Sequence, residues 1–390
     1  MVLVNKKHVA PPKRSTSTKS ACASNNQAFC LYVHLPFCLR KCNYCDFNSS
    51  AQYDDILVGN YVDAVINEMK IQKQNYDLQK VTSIYFGGGT PTAINYKYLA
   101  KLLNALFTTF DLSDDLEISL EANPCTNLDF SILRDMGFNR VSIGVQSFES
   151  DELNLLGRLH SADLARETIF AAKKHFENIN VDIIYALPNQ TAKKLLRTLE
   201  VVKEFELNHI SAYSLIYENG TRITQQHQNK EFIPLTDDED YELYMLVCEE
   251  LAKNDLQQYE VSNFAKAGFE CKHNLGYWQR SEYLGFGISA HSLYRDMRFS
   301  NTTDVNTYIQ RLLCGETATE ESEILTEQQI LEEEIFLGLR SGGISLDLLG
   351  NDGNFLEELM NNGYGKIEDS RLVLTSKGKY ICDEIVLRLL

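Results

Sequence analysis

Short apolar runs rich in Val, Ile, Leu and Tyr recur along the first half of the chain. They fall at 29–37, 81–86, 116–121, 140–145, 180–187 and 209–217. Between them lie stretches with apolar residues at helical spacing, at 56–76, 96–110, 128–136, 162–175 and 192–205. The runs are nearly continuous in apolar residues, as expected of parallel strands covered by helices. Six such β/α units with right-handed crossovers predict an α/β fold, either a doubly wound sheet or part of a barrel. Both arrangements place a ligand at the carboxyl ends of the strands.

The pattern changes near residue 220. An acidic, Tyr-rich helix is predicted over 237–253, then a Gly- and aromatic-rich segment over 259–294. The acidic stretch 316–323 reads as a linker. From 325 to 390 the order is helix, helix, a short hairpin around Asp369-Ser370, then helix, which predicts a small α+β, winged-helix-like domain. The expected division is therefore a disordered basic tail over 1–28, a barrel over 29–230, a connecting segment over 231–315 and the small domain over 325–390.

Charge narrows the partners. There are 37 Lys and Arg against 54 Asp and Glu, a net charge of −17, which argues against a protein that coats nucleic acid or anionic lipid. The basic residues near the winged-helix-like tail are too few to reverse that. No apolar run approaches the roughly 20 residues that span a bilayer. The first 27 residues are basic and free of acid, without the apolar core of a secretory signal. A cytoplasmic protein is expected, with a mitochondrial transit peptide as the alternative reading of that tail. Most of the ten cysteines are scattered, which reads as free thiols in a reducing compartment.

Three cysteines are not scattered. "HLPFCLRKCNYCDFNSS" (34–50) holds Cys38, Cys42 and Cys45 directly after the first strand. A structural zinc site needs a second cysteine pair, and none follows. A redox Cys-x-x-Cys would leave Cys38 unexplained. Three thiolates suit an iron–sulfur cluster that leaves one iron open to an exchangeable ligand. "YFGGGTP" (85–91) closes the second strand, where glycines let a ligand approach the backbone. Glu121 ends the third strand, Gln146 ends the fourth and Asp182 lies in the fifth. Each is a polar residue inside or closing an apolar run and needs a partner.

This set resembles the radical S-adenosylmethionine (SAM) superfamily. The resemblance implies a partial (β/α)6 barrel, a [4Fe–4S] cluster on Cys38, Cys42 and Cys45, and SAM chelating the open iron. It implies that Gly88, Gly89 and Thr90 contact the methionine amino group. It also assigns Arg158 and Asp182 to the SAM carboxylate and ribose, and Tyr32, Glu121 and Gln146 to the same SAM site.

"YVHLPFC" with "CNYCDFNS" resembles the oxygen-independent coproporphyrinogen III oxidases. Those oxidases carry a further cysteine where this chain has Phe47, which points to their sister group, the HemW-type haem chaperones. "CKHNLGYWQRSEYLGFGISAHS" (271–292) carries the His-Asn-x-x-Tyr-Trp pattern associated with that group. It offers His273 as a haem ligand and Trp278 as a stacking wall, beside the ordinary reading of a hydrogen-bonded structural histidine. The resemblance implies haem transfer to an acceptor such as a respiratory enzyme, with at most peripheral membrane contact and with dimerisation open. The alternative is oxidative decarboxylation of a porphyrinogen by an oxidoreductase of coproporphyrinogen dehydrogenase type.

Overall fold

The computed structural model describes residues 28–125, 128–349 and 353–390. The basic tail expected over 1–28 lies outside the described residues except for its last position. Six strands, β1 (Phe29–Leu35), β2 (Val81–Gly88), β3 (Leu112–Ala122), β4 (Arg140–Gln146), β5 (Asn178–Tyr185) and β6 (His209–Ser214), pair in parallel with their chain neighbours. The intervening helices are α1 (Asp55–Asn75), α2 (Tyr96–Thr109), α3 (Phe130–Asp135), α4 (Ser150–Leu156), α5 (Ala162–Lys173) and α6 (Ala192–Glu204). A doubly wound sheet would reverse its strand order at a switch point. Here the order runs from β1 to β6 without reversal, which is the sense of a barrel.

The barrel is open, and later parts of the chain extend both margins. After α7 (Arg222–Gln228) and α8 (Asp237–Ala252), strands β7 (Gln257–Gln258) and β8 (Asn263–Ala265) continue the sheet beyond β6. After α9 (Lys272–Trp278), strand β9 (Glu282–Phe286) pairs in parallel with β1, and β10 (His291–Tyr294) and β11 (Met297–Asn301) follow. Helix α10 (Val305–Leu313) then leads to β12 (Thr319–Ile324). The acidic stretch expected to be a linker is this strand, paired antiparallel with β11. Its side chains are almost all exposed, so it has no buried face to leave an apolar signature.

Beyond it, α11 (Glu327–Arg340), β13 (Ile344–Ser345), α12 (Gly353–Asn361), β14 (Gly365–Glu368), β15 (Arg371–Leu374), α13 (Ser376–Tyr380) and α14 (Cys382–Leu389) form the small domain. Its sheet runs β13-β15-β14 and covers a separate apolar cluster that includes Leu339, Phe355, Leu372 and Ile385. The hairpin turns at Asp369 and Ser370, both at positive φ (48° and 60°), as a two-residue turn of matching twist requires.

One buried carboxyl ties the first barrel helix to the added margin. Glu68 on α1 is 1% exposed and accepts from the Gly287 amide (2.9 Å), Asn301 Nδ2 (2.7 Å) and the Tyr308 hydroxyl. Burial nonetheless pushes its carboxyl from 4.5 up to about 7. The unfolded chain ionises first as pH rises, so the folded state loses relative stability between pH 4.5 and about 7. The full effect is about 3 kcal/mol. Wild type is expected to lose that much more stability than Glu68→Gln between about pH 5 and about pH 8 in chemical denaturation. Parallel pH profiles for the two proteins would refute it.

Candidate cluster and cofactor site

The cysteine loop leaves β1 and is closed at its base by backbone bonds. Cys38 N donates to Ser50 O (3.0 Å) and Ser50 N to Pro36 O (2.7 Å). Its middle is clamped from the far side of the barrel. Asn43 donates from its amide to Leu156 O (3.0 Å) and from Nδ2 to Leu155 O (2.8 Å), and accepts from Ile223 N (2.8 Å). Gly157 makes that clamp feasible, because its φ is +72° and a Cβ there would lie 2.8 Å from Asn43 Oδ1. At the far end, Asn48 Nδ2 donates to Ser289 Oγ (2.7 Å) and to Thr303 O (2.8 Å).

A cavity of about 410 Å³ opens beneath this loop, within the ordinary range of ~300–1,000 Å³ for ligand sites. Cys38, Cys42 and Cys45 line its mouth with Gly88, Gly89 and Thr90, and Glu121, Gln146, Arg158 and Asp182 line its walls. Arg158 donates from Nη1 to Cys42 Sγ (3.2 Å) and Tyr44 Oη (3.4 Å), and from Nη2 to Gly144 O and Asn123 Oδ1. Cys38 Sγ lies 3.7 Å from Thr90 Oγ1. Glu121 accepts from the Tyr85 hydroxyl (3.1 Å), and Asp182 accepts from Asn180 Nδ2 (2.7 Å) and Ser142 Oγ (3.2 Å). Burial, then the neighbouring Asp182, push Glu121 up to about 8, and burial raises Asp182 as well. Gln146 takes a positive φ of 72° at an irregular step in the β4–β5 register. An uncommon conformation for a residue with a Cβ, held at a cavity wall, is a mark of a functional surface.

Among the described residues, no three His, Cys, Asp or Glu side chains converge on a single metal ion. A cubane does not need that, since each thiolate holds a different iron. The donor set fits such a cluster: three free thiols share one mouth beside a guanidinium and a glycine-lined turn. Burial raises the Cys38 and Cys45 thiols, Cys45 to about 11, so cluster loading displaces protons.

Comparison with known proteins agrees with this geometry. The radical SAM superfamily matches residues 32–202. The heme chaperone HemW of Lactococcus lactis is 34% identical over 91% of this chain and 97% of its own. That of Bacillus subtilis is 36% identical over the same shares. The chain belongs to the HemW family of radical SAM proteins. Its cofactors are accordingly a [4Fe–4S] cluster and SAM. Among solved structures, the coproporphyrinogen III oxidase HemN of Escherichia coli superposes with a TM-score of 0.79 at 23% identity, covering 93% of this chain and 90% of that one, which shows the shared fold.

Three of the residues singled out in this HemW-family sequence do not line the cavity. Tyr32 stands behind its wall, its ring 6.4 Å from that of Tyr85 and its hydroxyl 3.2 Å from His34 Nδ1. Trp278 is half-buried at the end of α9 and does not border the cavity. His273 is 1% exposed inside the barrel, with Nδ1 3.0 Å from Ser83 Oγ and Nε2 3.1 Å from Tyr277 Oη. Its ring also stacks on Tyr85 at 5.1 Å. Both ring nitrogens are engaged by hydroxyls, the arrangement of a hydrogen-bonded structural histidine. Burial, then Arg140, lower its pKa to about 3, so the imidazole is neutral.

The His-Asn-x-x-Tyr-Trp segment instead plugs the barrel. Glu117 on β3 receives the Lys272 and His273 amides (3.1 and 3.3 Å) and so caps α9. Gly276 packs where a Cβ would lie 2.5 Å from Cys30 Sγ. Replacing His273 with Ala is expected to cost about 3 kcal/mol, since it opens a cavity and orphans the Ser83 and Tyr277 hydroxyls. The check is a melting curve with hydrogen exchange on α9; an unchanged melt and unchanged protection would refute the plug.

The cavity also contains residues not singled out from the sequence, Arg140 and Ser142 on β4, Asn180 on β5, and Ser211 and Tyr213 on β6, together with Asn274 of the His-Asn-x-x-Tyr-Trp pattern on α9. The signal was present. Arg140, Ser142, Gly144 and Gln146 alternate along β4, as do Asn180 and Asp182 on β5, so polar positions two apart mark the inner face. Cys125 shares a small neighbouring recess with Cys42 and Arg158.

Proposed function

We propose that this chain is a haem chaperone that binds haem, carries a SAM-ligated [4Fe–4S] cluster, and passes haem to an acceptor such as a respiratory enzyme. The observation that carries this reading is the likeness, over 91% of the chain, to proteins named as heme chaperones. In this reading Cys38, Cys42 and Cys45 hold the cluster. Gly88, Gly89 and Thr90 receive the SAM amino group, and Arg158 and Asp182 hold its carboxylate and ribose. Glu121 and Gln146 close the surrounding wall, and Tyr32 supports it from behind. When bound, the cluster and SAM supply one-electron chemistry at the mouth of the barrel. The chain's own residues orient that group, shed water from the cavity and hold protons at Glu121.

Haem is expected to enter from the mouth, with its outer edge there, and not to be ligated by His273. Phe47 and Ile216 border the cavity there and are 61% and 66% exposed, offering apolar faces to a flat macrocycle. Among the described residues no helix is long and apolar enough to cross a membrane. A cytoplasmic setting with transient contact to membrane-bound acceptors, and dimerisation on loading, complete the reading. Oxygen-protected, cluster-loaded protein titrated with haem should give a saturable Soret band, and coproporphyrinogen III with SAM and reductant should remain unconverted. Conversion without a stable haem complex would reverse the reading in favour of the oxidase.

A further inference from the structure

Arg140, the first residue of β4, is 2% exposed and borders the cavity. Among the described residues no hydrogen bond or ion pair engages its guanidinium, and Nε is buried without a partner. The nearby acids have partners of their own. Glu117 accepts from the Lys272 and His273 amides and from Cys271 Sγ and Ser119 Oγ. Asp182 accepts from Asn180 and Ser142, and Glu121 accepts from Tyr85. Glu117 balances the charge of this cation from nearby, but no acceptor among the described residues meets its N–H donors, and buried donors left unmet are costly unless something completes them. The planar fork of the guanidinium matches a carboxylate.

Depth separates this group from the cluster. Gly144, whose carbonyl anchors Arg158 beside Cys42, lies four residues further along β4, about 13 Å at ~3.3 Å per residue. Around Arg140 the cavity wall is hydrogen-bonding, with Ser142, Asn180, Ser211 and Asn274, and its one carboxyl, Asp182, is held by Ser142 and Asn180. Glu121, higher up, is pushed to about 8 by burial and Asp182, so it is uncharged at neutral pH and does not repel an entering anion.

We propose that the unpartnered guanidinium of Arg140, at the floor of the cavity, is a receptor for a ligand carboxylate that lies deeper than the cluster. Two ligands of the proposed function carry that chemistry: haem, through a propionate, and SAM, through its methionine carboxylate. Arg158 already stands at the cluster end, so the propionate is the source expected at the floor. This inference rests on the haem-chaperone reading for the identity of the acid. Its test reads dependence on the carboxylate, so it can fail while haem binding stands.

The experiment measures equilibrium binding to full-length, cluster-loaded protein of four probes: haem, haem dimethyl ester, SAM and decarboxylated SAM. Wild type is expected to prefer haem to its diester by about tenfold or more. Arg140→Met should bring that ratio close to one, and Arg140→Lys, which keeps the charge and loses the fork, should fall between. If the ratio that collapses is SAM over decarboxylated SAM, the receptor stands and the acid is that of SAM. Variants that keep their cluster absorbance, their melting temperature and both ratios would overturn the proposal and make Arg140 a counter-charge for Glu117. Should Arg140→Met fail to fold, the wild-type ratios decide. Equal affinities within both pairs overturn the proposal, and a preference that Arg140→Lys weakens upholds it.

Discussion

Cys42→Ser is expected to leave a colourless protein, with iron per chain near background after anaerobic reconstitution. The reason lies in the count and softness of the donors. In the proposed assignment three thiolates hold the cluster, and a hydroxyl is a harder, less acidic ligand that iron–sulfur chemistry does not favour. Cys42 is also the thiol that Arg158 touches at 3.2 Å, so its loss removes the group that links cluster and guanidinium. The fold should survive, because the loop is held by Asn43 and by the Cys38–Ser50 backbone pair and not by the sulfur. Far-UV circular dichroism should therefore match wild type while visible absorbance disappears. Cys314→Ser, at an exposed thiol after α10, is the control that should stay brown. A brown Cys42→Ser protein with full iron would remove the foundation of the cofactor assignment.

Gly89→Ala is expected to cost about 3 kcal/mol and to reduce cluster yield along with it. A Cβ at Gly89 would lie 2.7 Å from Phe37 O and 2.8 Å from Leu35 O. Those are the carbonyls that receive the Thr90 and Gly89 amides at 2.8 Å each. The methyl would therefore pry apart the join between the ends of β1 and β2, and Cys38 follows Phe37 directly. Main chain cannot rotate away as a flexible side chain can, so the cost falls on the loop itself. Gly342→Ala, where nothing lies within 4 Å of the added methyl, should be nearly silent. Denaturant titration with iron analysis reads both effects, and a Gly89→Ala protein of wild-type stability would show that the turn tolerates a Cβ.

The six barrel strands and the cysteine loop were legible because both signals are local. A parallel strand covered on both faces reads as a largely apolar run, and three cysteines at fixed spacing declare themselves. Details at the ends of elements were less clear: β3 begins at Leu112, ahead of the apolar run, and β6 ends at Ser214. Strand β12 was not legible, since its pairing with β11 is a backbone matter and its side chains face solvent. The environment of His273 could not be read either. Ser83, which takes one of its nitrogens, is 190 positions away, and a sequence says nothing of whether a lone pair is spoken for. Arg140 opens an apolar run and was not singled out; only the topology places it at the bottom of the cavity.

The parallel pairing of β1 with β9 joins residues about 250 positions apart, Phe29 with Glu282 and Val33 with Phe286. On the ribosome, the strand that leads into the cysteines is therefore a bare margin until more than two thirds of the polypeptide has emerged, and so is the hole that α9 later stops. Such long-range closure is slow, and an uncovered margin invites pairing with another nascent molecule. Iron and sulfide delivered to a chain truncated or still growing short of β9 would meet a flank without its neighbour, so maturation of the centre is expected to follow the emergence of β9, and shortage of folding assistance should show first as insoluble, metal-free protein.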